Sequence, residues 1–86
     1  MNLKLHKNFI KQYQKLSKKD RNKVKERIGL FLNNHFDERL NNHSLKGKYL
    51  NYRSINITGD LRAVYKYIDE NECVFVALGT HRQLYS

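Results

Sequence analysis

Apolar residues along the chain change their spacing twice, and each change marks a new kind of element. Leu3-Lys4-Leu5-His6 alternates apolar with polar, the period of a strand with one face on a core. From Lys7 the spacing lengthens. Phe9, Ile10, Tyr13 and Leu16 lie at i, i+1, i+4 and i+7, one face of a helix, while Lys7, Lys11, Lys15 and Lys18 fall around the remainder. Ser17-Lys18-Lys19-Asp20 reads as the break, with Asp20 as N-cap of a second helix. In that helix Val24, Ile28, Phe31 and Leu32 recur at i, i+4, i+7 and i+8. Asn33-Asn34-His35 and Asn41-Asn42-His43 mark the exit into loop, Asp37 to Leu40 adds a turn, and Leu45-Lys46-Gly47-Lys48 is a loop.

Period two returns at Tyr52-Arg53-Ser54-Ile55-Asn56-Ile57. Thr58-Gly59-Asp60 is a turn, and Leu61 to Ile68 is a strand rich in branched and aromatic residues. Asp69-Glu70-Asn71-Glu72 turns the chain again into a last strand, Cys73 to Leu78. Turns this short join antiparallel neighbours. The order predicts an α+β fold, β-α-α-β-β-β, with two N-terminal helices packed on one face of a small twisted antiparallel sheet and the opposite face open. Leu61, Ala63, Tyr65 and Tyr67 then lie under the helices, while Asp60, Arg62, Val64 and Lys66 point to the open face.

At 86 residues the chain is expected to be one domain, 1–86, with a single modest core. No apolar run approaches the ~20 residues of a membrane-spanning helix, and the N-terminus has no long apolar segment of the secretion type. A cytoplasmic protein with no membrane partner is expected. Cys73 has no second thiol for a disulfide or a thiolate metal site and reads as a small core residue. Charge changes the picture most. Seventeen Lys and Arg stand against eight acids, a net charge of +9, and residues 1–27 hold ten basic and two acidic side chains. Such a surplus implies a polyanionic partner, and the absence of Trp and of an amphipathic insertion segment favours nucleic acid over a membrane.

Cleaving RNA without a metal takes a base for the ribose 2′-OH, a cation over the phosphate and an acid for the leaving 5′-oxygen. Imidazole suits the proton transfers near neutral pH, a guanidinium fork suits the phosphate, and an aromatic ring can stack on a splayed base. His43, Asp60, Arg62, His81 and Tyr85 have these chemistries. Each also has a plain reading, as a loop imidazole, a turn carboxylate, an edge charge, a surface imidazole and a packing anchor. The four histidines offer no helical i, i+4 pair and no cysteine cluster, so neither a metal nor another cofactor is expected.

In order along the chain stand Asn42-His43-Ser44-Leu45-Lys46-Gly47, Tyr52-Arg53-Ser54-Ile55, Gly59-Asp60-Leu61-Arg62-Ala63-Val64-Tyr65, Gly79-Thr80-His81 and Leu84-Tyr85. This ordered set resembles the YafQ branch of the RelE/ParE superfamily, the toxins of type II toxin–antitoxin pairs, over roughly residues 43–85. The resemblance implies a RelE-like fold and endonucleolytic cleavage of mRNA in the ribosomal A site. It places catalytic roles on His43, Asp60, His81 and Tyr85, and the related RelE branch places a catalytic Arg at Arg62. The branch often has a second His where this chain has Asn56, and an amide does not transfer protons near neutral pH. Asn56 is therefore read with Lys46, Lys48, Arg53 and Arg82 as an RNA contact. His81 is expected as general acid, with His43 or Asp60 as base. A cognate antitoxin, mRNA on the ribosome and ribosomal RNA are the implied partners. Two rivals remain, a ParE-like toxin acting on DNA gyrase and a basic domain that only binds nucleic acid.

Overall fold

In the computed structural model, which describes residues 1–85, the amphipathic N-terminal half folds as strand β1 (Asn2–Leu5), helix α1 (Lys7–Gln14) and helix α2 (Lys18–Asn33). The His6 ring accepts from the Asn8 N–H at the start of α1, and Ser17 Oγ accepts from the Asp20 N–H at 3.2 Å at the start of α2. Ser17, not Asp20, is thus the second N-cap. A seryl oxygen three residues upstream reaches the free N–H, which leaves Asp20 in the first turn against the positive end of the helix dipole. The turn expected at 37–40 is a short 3-10 helix (Glu38–Leu40) capped by Asp37, whose carboxylate also holds Arg39 at 2.7 Å.

The C-terminal half supplies β2 (His43–Ser44), β3 (Arg53–Asn56), β4 (Leu61–Asp69), β5 (Glu72–Thr80) and a terminal helix α3 (His81–Tyr85). The sheet runs β1-β5-β4-β3-β2. Its four C-terminal strands are antiparallel, but β1 lies parallel to β5, Leu3 opposite Cys73 and Leu5 opposite Phe75. The wholly antiparallel sheet expected from the hairpins is therefore a mixed one. The helices carry the chain from β1 at one edge to β2 at the other, and β3, β4 and β5 return to β1, so the long connection that a parallel pairing requires takes in both helices and the strands after them. His43–Ser44, expected as loop, is a short edge strand.

Phe9, Val24 and Phe31 from the helices pack on Leu61, Ala63, Tyr65, Cys73, Phe75 and Leu78 of the sheet, all buried. The alternation expected along β4 holds for Leu61, Ala63 and Tyr65, beneath the helices, but Tyr67, expected with them, is exposed, its hydroxyl 3.1 Å from His35 Nδ1 past the end of α2. Strand β5 is different. Val64 pairs with Ala77 and Tyr65 with Phe75, so one extra residue, Val76, forms a β-bulge. The bulge lets Phe75 and Leu78 share the helix face although they are three residues apart, and it turns Ala77 and Gly79 to the other side.

That other side is not open as expected. Val64, Ala77 and Leu84 are buried there, with Leu45, Tyr49, Tyr52, Val76 and Tyr85 packed around them. Apolar side chains on the second face drive α3 and the 45–52 segment to fold back over it. Only the gap between those two covers remains.

Candidate functional site

Antiparallel register aligns two rows of residues across the second face. His43 lies opposite Ser54, Ser54 opposite Val64 and Val64 opposite Ala77; beside them Asn56, Arg62 and Gly79 line up in the same way. The gap over these rows is a cleft of about 290 Å³ lined by His43, Leu45, Lys46, Ser54, Arg62, His81 and Tyr85. Four separate segments thus bring two imidazoles, a guanidinium, an ammonium and a phenol together, and among the described residues no carboxylate lines the cleft.

The His43 ring is oriented by its own chain. Its Nδ1 lies 2.7 Å from the Asn41 carbonyl oxygen. A carbonyl only accepts, so Nδ1 carries the hydrogen and Nε2 of the neutral ring keeps its lone pair. Asn41 stands in the left-handed region (φ 45°), which asparagine tolerates. The next residue anchors the turn from behind. Asn42 Nδ2 donates to the His35 carbonyl and to the Tyr65 hydroxyl, both at 2.7 Å, and Asn42 Oδ1 accepts from Arg53 Nε at 2.9 Å. Burial, and next the bond with Tyr67, push the Tyr65 phenol well above its ordinary range, so it stays neutral in this network.

Arg62 is held by the β3–β4 turn. Its Nη1 donates to the Thr58 and Leu61 carbonyls and its Nη2 to the Gly59 carbonyl. Of the five guanidinium hydrogens, the Nε–H and one on Nη2 have no partner among the described residues, and these suit an anion's oxygens.

His81 opens α3, and a reciprocal pair of bonds fixes that start. Gln83 Oε1 accepts from the Thr80 N–H at 2.8 Å, and Thr80 Oγ1 accepts from the Gln83 N–H at 3.2 Å, a capping box. The His81 ring meets the Tyr85 ring edge-on at 4.8 Å, and Tyr85 in turn packs edge-on against Tyr49 at 5.9 Å. Gly79 lies beneath the box, where a Cβ would stand 3.0 Å from Gln83 Oε1. Gly79→Ala should displace Gln83 and lower stability by about 1 kcal/mol, as lost caps do. Adding Gln83→Ala should then cost little more, which urea unfolding of the two variants and their double would read. Additive losses would show that the box and the glycine act independently.

Two hydroxyls at the cleft have no hydrogen-bond partner among the described residues. Ser54 Oγ, on a fully buried residue, and the Tyr85 hydroxyl are both inaccessible and unbonded. Unmet buried hydroxyls cost about 1–3 kcal/mol each, which a polar occupant of the cleft relieves.

The remaining candidates lie elsewhere. Asp60 is exposed at the β3–β4 turn, its N–H on Thr58 Oγ1, and does not line the cleft. Arg53 is on the helix side, bonded to Asn42 with its guanidinium 5.4 Å from the Phe36 ring centre. Lys48 sits over Tyr49 at 5.3 Å, Arg82 is exposed on α3, and Asn56 lines a different cleft at the end of the sheet. Sequence reasoning passed over Ser54, Asn42, Thr80 and Gln83. The Thr-x-x-Gln spacing was a usable sign of the capping box; Ser54 had none. Among the described residues, no group of three His, Cys, Asp or Glu is placed to hold a metal ion, and no helix is long and apolar enough to cross a membrane.

A family model described as bacterial toxin of type II toxin–antitoxin system, YafQ, matches residues 1–86. No curated protein matches the chain by sequence. Among solved structures, YafQ from E. coli strain BL21(DE3) superposes with a TM-score of 0.83 at 24% identity, over 99% of this chain and 98% of that one. The toxin of the E. coli DinJ–YafQ toxin–antitoxin complex gives 0.80 at 25% identity, over 99% and 97%. A chain of the YoeB–YefM complex from Staphylococcus aureus gives 0.75 at 22% identity, over 94% and 97%.

Proposed function

The chain belongs to the YafQ family, toxins of bacterial type II toxin–antitoxin systems, and from that membership we propose that it is an endoribonuclease that cleaves mRNA on the ribosome and so stops translation. The observation that carries the reading is the convergence of His43, Arg62 and His81 on one cleft. His43 Nε2 takes the proton of a ribose 2′-OH, and the oxygen attacks the adjacent phosphorus. The free Arg62 N–H groups, with Lys46 beside them, hold the non-bridging oxygens as charge builds. His81 gives its proton to the departing 5′-oxygen. The products are a 2′,3′-cyclic phosphate and a 5′-hydroxyl, so every atom is accounted for without a metal step. Tyr85 and Ser54 line the cleft, and a rotation of either side chain would turn its unbonded hydroxyl toward the ribose or phosphate. Between the two candidate bases, the exposed turn position of Asp60 favours His43.

The Lys and Arg of the helices hold ribosomal RNA in this reading, with the steep salt dependence of counterion release. A cognate antitoxin is the protein partner, as DinJ is of YafQ and YefM of YoeB. The apolar groove of about 650 Å³ between β1, α1 and α2, with Leu5, Ile10 and Leu32 exposed along it, supports such a partner.

Inducing the chain in growing cells and mapping RNA ends is the deciding experiment. The expected outcome is growth arrest with discrete in-frame cuts in translated messages, each upstream fragment ending in a cyclic or 3′-phosphate. Arrest without new mRNA ends would overturn the nuclease reading and point to a gyrase-directed toxin.

A further inference from the structure

A second cleft, of about 390 Å³, opens at the end of the sheet between α2, the 3-10 helix at 38–40 and the β3–β4 turn. It is lined by Lys23, Arg27, Arg39, Asn56, Ile57, Thr58 and Gly59, three cations and no carboxylate. Glu26 and Asp37 pair with these cations from outside the cleft and saturate them only in part. Arg39 is taken up by Asp37 at 2.7 Å, but Glu26 Oε1 stands 3.4 Å from Lys23 Nζ and 3.9 Å from Arg27 Nε. Arg27 Nη1 is spent on the Arg39 carbonyl, which fixes the guanidinium in place.

Two polar atoms of the lining are inaccessible and have no hydrogen-bond partner among the described residues: Arg27 Nε, a donor, and Asn56 Oδ1, an acceptor. An inorganic anion would satisfy only the first. A nucleotide offers both kinds of partner once the two side chains turn into the cleft, a phosphate oxygen to accept from Nε and a ribose hydroxyl or base amino group to donate to Oδ1.

The two clefts are neighbours across a single turn. Thr58 and Gly59 form a wall of the second cleft, and their carbonyls are the ones that hold Arg62 in the first. We propose that the second cleft is a binding subsite for a nucleotide of the substrate RNA flanking the cleaved bond, gripped by Arg27 and Lys23 and oriented by Asn56. This rests on the nuclease reading of the first cleft and adds to it: the substrate strand crosses the β3–β4 turn and is held on both sides. A turn held by three Arg62 bonds is then the ridge over which the strand bends, presenting the scissile phosphate to His43 and His81.

Binding of labelled single-stranded RNA separates this from a plain solvated charge face. Fluorescence anisotropy is measured on protein carrying His81→Ala, so that the RNA stays intact, with a decanucleotide and with a trinucleotide long enough for the first cleft only. Lys23→Glu and Arg27→Gln should each weaken the decanucleotide about tenfold and lower its salt slope by about one contact, roughly 0.7. Both should leave the trinucleotide within about twofold. Lys15→Glu, an exposed lysine of the same sequence half lining neither cleft, is the charge control, and the helical circular dichroism of each variant checks folding. Losses no greater than that control, or equal losses on both lengths, overturn the subsite. So does failure of the chain to bind the decanucleotide at all. Absence of cleavage by the wild type, with the length-dependent losses present, instead removes the nuclease mechanism and leaves the subsite standing.

Discussion

His81→Ala should slow RNA cleavage by about 10²–10⁴-fold, the usual contribution of a positioned general acid, while shifting the melting temperature by no more than a few degrees. The two halves of that expectation come from one observation. His81 is exposed at the first position of α3, and its ring makes one recorded aromatic contact, with Tyr85. The capping box that secures the helix runs through Thr80 and Gln83 and does not involve the imidazole. Little packing is lost with the ring; what goes is a proton donor. Arg62→Ala is a poorer test, because it also removes three bonds that shape the β3–β4 turn.

A leaving-group experiment identifies which proton His81 moves. Uridine 3′-(4-nitrophenyl phosphate) instead expels 4-nitrophenolate, an anion stable enough to leave without a proton from an acid. His81→Ala should turn it over at nearly the wild-type rate, whereas His43→Ala should be slow on both substrates. The reverse pattern would exchange the two roles. An unchanged rate on RNA in His81→Ala would remove His81 from the chemistry altogether.

The legible part of this molecule is the part where apolar spacing is sparse enough to carry a period. Phe9 and Tyr13, and Val24 and Phe31, recur at helical spacing, Leu61, Ala63 and Tyr65 at every second position, and each falls on the core side as its spacing requires. Strand β5 is apolar at every position from Cys73 to Leu78, so no face can be read from it and the bulge at Val76 leaves no trace in the pattern. The bulge decides that Gly79 lies on the second face, beneath α3. The parallel partner of β1 was equally hidden, since a four-residue strand has no local preference for one neighbour over another. The cleft is assembled from β2, β3, β4 and α3, and no spacing between residues 43, 54, 62 and 81 announces it. The ordered resemblance pointed to His43, Arg62, His81 and Tyr85, and these meet in the cleft; Asp60, one residue before β4, falls in the turn, where strand parity no longer governs its direction.

Phe31→Ala should be the most destabilising single truncation, by about 3–5 kcal/mol. A chain of 86 residues has about 4–13 kcal/mol of total stability, so the loss is a large share and the melting temperature should fall by at least about 12 °C. The ring is fully buried between α2 and the sheet. It packs edge-on against Tyr65 at 4.8 Å and Phe75 at 5.4 Å, and it stacks on His35 at 4.4 Å with the planes 10° apart. Those partners lead to the cleft: the His35 carbonyl and the Tyr65 hydroxyl are the two acceptors that hold Asn42, whose neighbour is His43. Removing the ring should therefore loosen the His43 turn before the whole chain unfolds. Amide exchange at Asn42 and His43 should quicken more than at Thr80 and Gln83, which a separate box secures. Leu50→Ala, at a 62% exposed position, should move the melting temperature by only a few degrees in the same assay. A fall under about 5 °C for Phe31→Ala would mean that the helices are held to the sheet elsewhere. Uniform exchange across both segments would mean that Phe31 supports the fold without specifically ordering the cleft.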